Sequence, residues 1–227
     1  MVLVFDLDDT LYDEVTFVFS GFHAVAGHIA NEHQVEKSAF YHDLVHELKG
    51  GRGHIFDLVL KKHNLFSKAR VSKCIAIYRG HKPNISLYKD AIPCLKRFGH
   101  ISKYIVTDGN KIVQQNKINA LQIEQYFSHC FISRRYGVHH EKPSPYLFQK
   151  ITQLEGTVPG KVVYVGDNPN KDFVGIKPLG FKTIRIMKGN HRDVLKTAEF
   201  EAHLRINSLS ELTPELLKKH FGYPLIH

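Results

Sequence analysis

Aspartates at positions 6 and 8 follow directly on the apolar run Val2-Leu3-Val4-Phe5, and their types and spacing suit them to chemistry. Such a run, with β-branched members, reads as a buried strand of a parallel sheet. Ligands of open α/β sheets bind outside the carboxyl ends of strands. Side chains two apart in extended chain share a face, so both carboxylates are expected to point at one reacting group. One can attack as a nucleophile; the other can protonate a leaving oxygen and then activate water. Aspartate is also common in plain strand-end turns, so the pair gains meaning from three further segments. These are Thr107-Asp108-Gly109-Asn110, Glu141-Lys142-Pro143 and Gly166-Asp167-Asn168-Pro169-Asn170-Lys171-Asp172.

Each segment ends a predicted strand or opens the helix after it, and a parallel sheet would gather all four at one edge. Asp6, Asp8, Asp167 and Asp172 cannot crowd there as bare anions, because like charges raise one another's pKa values. A hard cation resolves the repulsion, and an oxygen-only donor set points to Mg²⁺. Magnesium suits phosphate chemistry, where it neutralises charge on the transferring group. Lys142 offers positive charge to the nucleophile and to phosphoryl oxygens. A strand-end hydroxyl followed by free backbone N–H groups, as at Thr107, can hold phosphate oxygens.

The elements that must position these residues alternate between strand and helix from about residue 86. Strands are expected at Lys103–Thr107, Cys130–Ser133, Lys161–Val165 and Lys182–Ile186, with a short one at Leu204–Ile206. Helices are expected near 110–121, at Tyr146–Leu154 and at Pro214–His220. This alternation implies an α/β fold, a parallel sheet with helices on both faces. Between the first strand and this region, apolar residues recur at helical spacing: Val15, Phe19, Phe22, Ala26 and Ile29, then three more sets up to Tyr78. About four helices are expected there, with a clear break at Lys49-Gly50-Gly51-Arg52-Gly53. The organisation is therefore a core of residues 1–13 and 86–227 with a helical insert, a separate lid, at 14–85.

In order and approximate spacing, the four segments resemble the four motifs of the haloacid dehalogenase superfamily. DLDDT resembles motif one, TDG motif two, the lysine of EKPSPYLF motif three and GDNPNKD motif four. The resemblance implies a Rossmann-like core, with the helical insert as an α-helical C1 cap that closes over the site and selects substrate. It implies Asp6 as nucleophile, Asp8 as acid/base and Lys142 as partner of nucleophile and phosphate. Phosphate would be bound by Thr107 with the backbone N–H groups of Leu7 and Asp108. Asp6, the backbone carbonyl of Asp8, and Asp167 would hold Mg²⁺. Many members carry a second aspartate directly after the motif-four one. This chain has Asn168 there and Asp172 later, so the division of metal duties among Asp167, Asn168 and Asp172 stays open, with Asn168 and Asp172 placed behind the metal ligands. Arg52, in the glycine-rich joint, is the candidate for substrate selection, as its charge suits a phosphate or carboxylate.

The function so implied is a Mg²⁺-dependent phosphatase acting on a small phosphomonoester, a sugar phosphate or nucleoside 5′-monophosphate, through an aspartyl-phosphate. A phosphomutase and a 2-haloacid dehalogenase are the alternatives. Asp8 argues against the latter, because displacement at carbon needs no acid for an oxygen leaving group. Composition bounds the rest. A chain of 227 residues with 43% hydrophobic content builds a real core, and its net charge of +9 favours anionic partners. The expected partner is a small phosphorylated metabolite rather than nucleic acid, since no dense basic run is interleaved with aromatics. No membrane span and no secretory signal are expected. Three widely spaced cysteines without a CxxC fit reduced thiols of a cytoplasmic protein. A monomer or a homodimer is expected, the sequence not choosing between them.

Overall fold

The computed structural model describes residues 1–223, which form two compact units: Met1–Glu14 with the chain from Ser86 onward, and Val15–Ile85. Residues 224–227, the end of the core as bounded from sequence, lie outside the described residues. The chain runs β1 (Val2–Phe5), α1 (Glu14–Glu32), α2 (Lys37–Leu48), α3 (Ile55–Lys62), α4 (Lys68–Gly80), α5 (Ala91–Arg97), β2 (Lys103–Thr107), α6 (Lys111–Leu121), β3 (His129–Ile132), α7 (Tyr146–Leu154), β4 (Val162–Gly166), β5 (Lys182–Ile186), β6 (Leu204–Ile206) and α8 (Pro214–Phe221).

In the larger unit the six strands form one parallel sheet in the order β3-β2-β1-β4-β5-β6. The order reverses at β1, so the carboxyl end of that strand is a topological switch point, where α/β sheets bind ligands. Every residue of β1 is buried, which is why its sequence is continuously apolar rather than alternating. Register aligns the neighbours. Phe5 lies beside Ile105 of β2 and Val165 of β4. One sheet face carries Val2, Val4, Tyr104, Val106, Val162 and Tyr164, and Leu147, Phe148 and Ile151 of α7 pack into the same cluster.

Two strands are shifted by one residue from the sequence expectation, β3 toward the N-terminus and β4 toward the C-terminus. β3 ends at Ile132 because Ser133 opens a 3-10 turn, and Lys161 closes another such turn before β4 begins. The sequence reading places no element between 86 and 102, yet α5 lies there. Its Pro93 sits in the first helical turn, where the missing N–H would have no helical partner.

The smaller unit is α2 to α4 with nearly all of α1, around its own core of Val18, Phe22, Val25, Ala26, Ile29, Phe40, Leu44, Ile55, Val59, Leu60 and Cys74. Along α1 the fully buried stripe includes Val18 and Val25. Val15 and Phe19, expected inside, are only half-buried. Glu36 and Ser67 cap α2 and α4 by accepting from backbone N–H groups of the first turn. No helix among the described residues is long and apolar enough to cross a membrane.

Candidate active site

Strand register alone brings two of the acids together. Phe5 pairs with Val165, and the Asp6 N–H donates to the Val165 carbonyl at 2.8 Å. Asp6 and Asp167 therefore leave adjacent strand ends. Asp172 returns to the same spot because Gly166 has no side chain. A Cβ on Gly166 would sit 2.4 Å from Asp172 Oδ2. The Asn168 N–H donates to that oxygen at 2.8 Å. Carboxylate oxygens of Asp6, Asp167 and Asp172 all lie within 4.8 Å of one another, and all three residues are buried.

Lys142 enters from the third segment. Its Nζ lies 2.9 Å from Asp6 Oδ1 and 2.9 Å from Asp172 Oδ1 and donates to Tyr164 Oη at 2.7 Å. Its backbone N–H donates to Asp108 Oδ1 at 3.2 Å, while Lys171 Nζ holds Asp108 Oδ2 at 2.9 Å. Lys142 is followed by a cis bond to Pro143, whose carbonyl oxygen packs against Gly175 where a Cβ would lie only 1.7 Å away.

Asp8 is engaged by a separate set of groups. Strand geometry stops at Phe5, so the expected two-residue alternation does not carry through the bend at Leu7. The Asp8 carboxylate accepts from Tyr12 Oη at 2.6 Å, Lys117 Nζ at 2.7 Å and Gln114 Nε2 at 2.9 Å. Gln114 Nε2 also donates to Thr107 Oγ1, the last residue of β2, at 2.6 Å. Asp9 turns away, with a positive φ of 54°, and accepts from the N–H groups of Glu14 and Asn190.

The charges follow this geometry. Burial, then the nearby Asp172 and Asp8 against the opposing pull of Lys142, pushes the Asp6 carboxyl up to about 7. Burial, with Asp172, Asp6 and Asp9 adding to it, pushes Asp167 up to about 9. Burial opposes ionisation of Asp8 too. There the Lys117 ammonium and the hydrogen bonds from Lys117, Tyr12 and Gln114 outweigh it and hold the carboxyl below its ordinary value. Asp108 is likewise held low against burial, by Lys142 and Lys171. Lys142, despite burial, is held well above the ordinary lysine value by Asp172 and Asp6. A buried group of three carboxylates facing one ammonium is short of positive charge, and its donors are all hard oxygens. That chemistry fits a divalent cation such as Mg²⁺, with Asp6, Asp167 and Asp172 as the residues able to hold it.

The structure thus joins Asp6, Lys142, Asp167 and Asp172 directly. Asp108 connects through the Lys142 backbone, and Asp8 and Thr107 connect through Gln114. Leu7 forms the bend between the first two acids. The Asn168 side chain accepts from Asn170 and shapes the loop, while its backbone orients Asp172. Arg52 lies in the helical unit, where it lines a cleft of about 350 Å³ with Phe22, His54, Phe56, Tyr78 and Arg79. Sequence reasoning missed Tyr12, Gln114, Lys117, Tyr164 and Lys171. A signal did exist on α6. Its buried positions, 114, 117, 118 and 121, follow helical spacing, and two of the four are polar.

An open parallel sheet with a group of buried carboxylates and a buried lysine at its switch point defines a class of α/β enzymes that work from strand ends. Residues 3–186 match the family model of the haloacid dehalogenase-like hydrolases, and the chain belongs to that family. It is 28% identical over 231 residues to a glyceraldehyde 3-phosphate phosphatase of Pyrococcus furiosus, a match covering 97% of this chain and 94% of that one. A protein of the same name from Methanopyrus kandleri is 29% identical, with 85% and 86% covered. Among solved structures, a 2-haloacid dehalogenase of Pseudomonas syringae pv. tomato aligns with a TM-score of 0.66 at 19% identity, covering 96% of this chain and 98% of that one. A HAD phosphatase of Thermococcus onnurineus aligns with a TM-score of 0.61 at 23% identity, covering 99% of each. Those two likenesses concern the fold.

Proposed function

We propose that this protein is a Mg²⁺-dependent phosphatase that hydrolyses a small sugar phosphate through an aspartyl-phosphate on Asp6. The observation that carries the reading is the buried Lys142 ammonium 2.9 Å from Asp6, inside the group formed with Asp167 and Asp172. Asp6 attacks phosphorus and the bond to the ester oxygen breaks; Asp8, ionised in the free protein, takes up a proton from solvent as the phosphate dianion binds beside it and gives that proton to the departing oxygen. Asp8, now a carboxylate, takes a proton from water as the water attacks phosphorus and the bond to Asp6 breaks. Lys142 favours the ionised, nucleophilic form of Asp6 and faces the phosphoryl oxygens. Thr107 and the N–H groups of Leu7 and Asp108 hold the phosphoryl group in line. When bound, Mg²⁺ would neutralise charge on that group and on the three acids.

Relatives named for glyceraldehyde 3-phosphate, aligned over most of this chain, support a substrate of triose size. The helical unit then serves as the cap that selects it, and Arg52 is the residue in that unit to test first. The experiment is phosphate release from glyceraldehyde 3-phosphate, a hexose phosphate and a nucleoside 5′-monophosphate, each with Mg²⁺ and with a chelator. Turnover confined to Mg²⁺ and abolished by Asp6→Asn is expected. Release that survives Asp6→Asn would end the assignment, and conversion to an isomeric phosphate without release would make the protein a mutase.

A further inference from the structure

We infer that Gln114 is a positioning residue that orients both the acid/base and the phosphate-binding hydroxyl. The inference rests on the phosphatase reading. One amide nitrogen reaches Asp8 Oδ2 at 2.9 Å and Thr107 Oγ1 at 2.6 Å. A glutamine amide offers two hydrogens on nitrogen and only lone pairs on oxygen. Tyr12 and Lys117 both bind the other Asp8 oxygen, so Oδ2 is presented to Gln114 in a fixed place. Turning the amide over would set its carbonyl oxygen against that carboxylate oxygen. The carboxylate therefore dictates which way the amide points, and the amide in turn makes the Thr107 oxygen an acceptor.

A threonine hydroxyl has one hydrogen to donate. With Gln114 occupying a lone pair, the Thr107 hydrogen is left for another acceptor. Thr107 is buried, and among the described residues its side chain makes no further hydrogen bond. The only acceptor the proposed reaction brings to this strand end is a phosphoryl oxygen. Gln114 thus sets the polarity of the Thr107 hydroxyl, and it couples that hydroxyl to Asp8. The burial of Gln114 on the buried stripe of α6 gives the amide no solvent alternative.

The test is a double-mutant cycle on inorganic phosphate binding in the presence of Mg²⁺, measured by titration calorimetry and as competitive inhibition of p-nitrophenyl phosphate hydrolysis. Gln114→Met keeps the volume without donors, and Thr107→Val keeps the shape without the hydroxyl. Each single change is expected to weaken phosphate binding on the order of tenfold, the size of one hydrogen bond. The double variant is expected to be no weaker than Thr107→Val alone, because Gln114 acts through that hydroxyl. Gln114→Glu, which replaces the amide donor by an acceptor that captures the Thr107 hydrogen, should weaken binding further than Gln114→Met. It should also lower kcat more on an alkyl phosphate, whose leaving oxygen needs a proton from Asp8, than on p-nitrophenyl phosphate. Additive losses in the cycle, or equal losses on both esters, overturn the assignment of Gln114 and leave the phosphatase reading standing. Wild-type protein that neither binds phosphate nor turns over any phosphomonoester sinks that reading itself.

Discussion

Lys142 holds two carboxylates at 2.9 Å while almost wholly buried, so its removal strands like charges in a place water does not reach. Removing one partner of a buried ion pair costs about 3–5 kcal/mol, much of it the desolvation of what remains. The Lys142→Met variant is expected to lose stability on that scale without Mg²⁺ and to regain part of it when Mg²⁺ is added. Activity does not return with the stability. An ammonium aimed at developing charge is worth on the order of 10²–10³ in rate, and kcat should fall by that much even at saturating Mg²⁺. Thermal melts with and without Mg²⁺, beside kcat, separate the two effects. Equal recovery of stability and kcat would mean that Lys142 serves only as a counter-ion. Tyr164 is the companion of this lysine, and nothing in the sequence marked it. Within VVYVG it looks like any bulky strand residue, and its role comes from a hydroxyl that reaches Lys142 and Asp172 across the end of β4.

The elements place these residues by a few close backbone approaches, and one of them gives a prediction far from any reacting group. Gly175 packs on the carbonyl of Pro143, the residue after Lys142. Gly175→Ala is expected to push that segment away, lowering kcat at least tenfold and stability by about 1–3 kcal/mol, the usual cost of overpacking. A Gly175→Ala enzyme with unchanged kcat would show that Lys142 is held by its charges alone. Much of this architecture was legible in the chain. The run before Asp6 declared a buried strand, and parallel strands put their reactive residues at one edge, so Asp6, Thr107 and Asp167 could be placed before any coordinates. How Asp8 is held was not legible, because the chain leaves strand geometry after Phe5 and the Asp8 carboxylate is fixed by Tyr12, Gln114 and Lys117 rather than by the strand. Gln114 and Lys117 also escaped notice. On a helix read for its apolar spacing, buried polar residues look like errors in the stripe until their partners, Asp8 and Thr107, are seen beneath them. Helix α5 was hidden by Pro93, which argues for a break unless it falls in a first turn.

At the scale of the whole molecule, 31 basic against 22 acidic side chains leave a net charge of +9, and a phosphomonoester carries the opposite sign. Attraction of this kind acts on encounter and is screened by salt. Raising ionic strength about tenfold, from roughly 0.02 M, should lower kcat/KM severalfold and leave kcat unchanged; a loss in kcat instead would place the salt effect inside the site. The acids give the molecule a second global signature. Asp6 and Asp167, at about 7 and about 9, lie above the ordinary aspartate value of 3.8, so the fold favours their protonated forms. The stability they contribute is complete below pH 3.8. It is lost as pH rises, through about 7 for Asp6 and about 9 for Asp167, because over that range the unfolded chain has released protons that the folded one still holds. Asp8 and Asp108 have the opposite sign, but their contribution is lost only as pH falls through folded values below 3.8, outside this window. Metal-free protein should therefore melt at progressively lower temperature between about pH 7 and about pH 9, above the range in which His191 and His203, held below the ordinary 6.5 by burial, act with the opposite sign. A divalent cation held among these acids would bind their ionised forms and displace those protons, so a fixed Mg²⁺ concentration is expected to raise the melting temperature more at pH 9 than at pH 6. In Asp167→Asn the metal-free slope should flatten, most of all above pH 7, and the Mg²⁺ shift should shrink. A Mg²⁺ shift that is the same at both pH values would mean the cation binds somewhere other than among Asp6, Asp167 and Asp172.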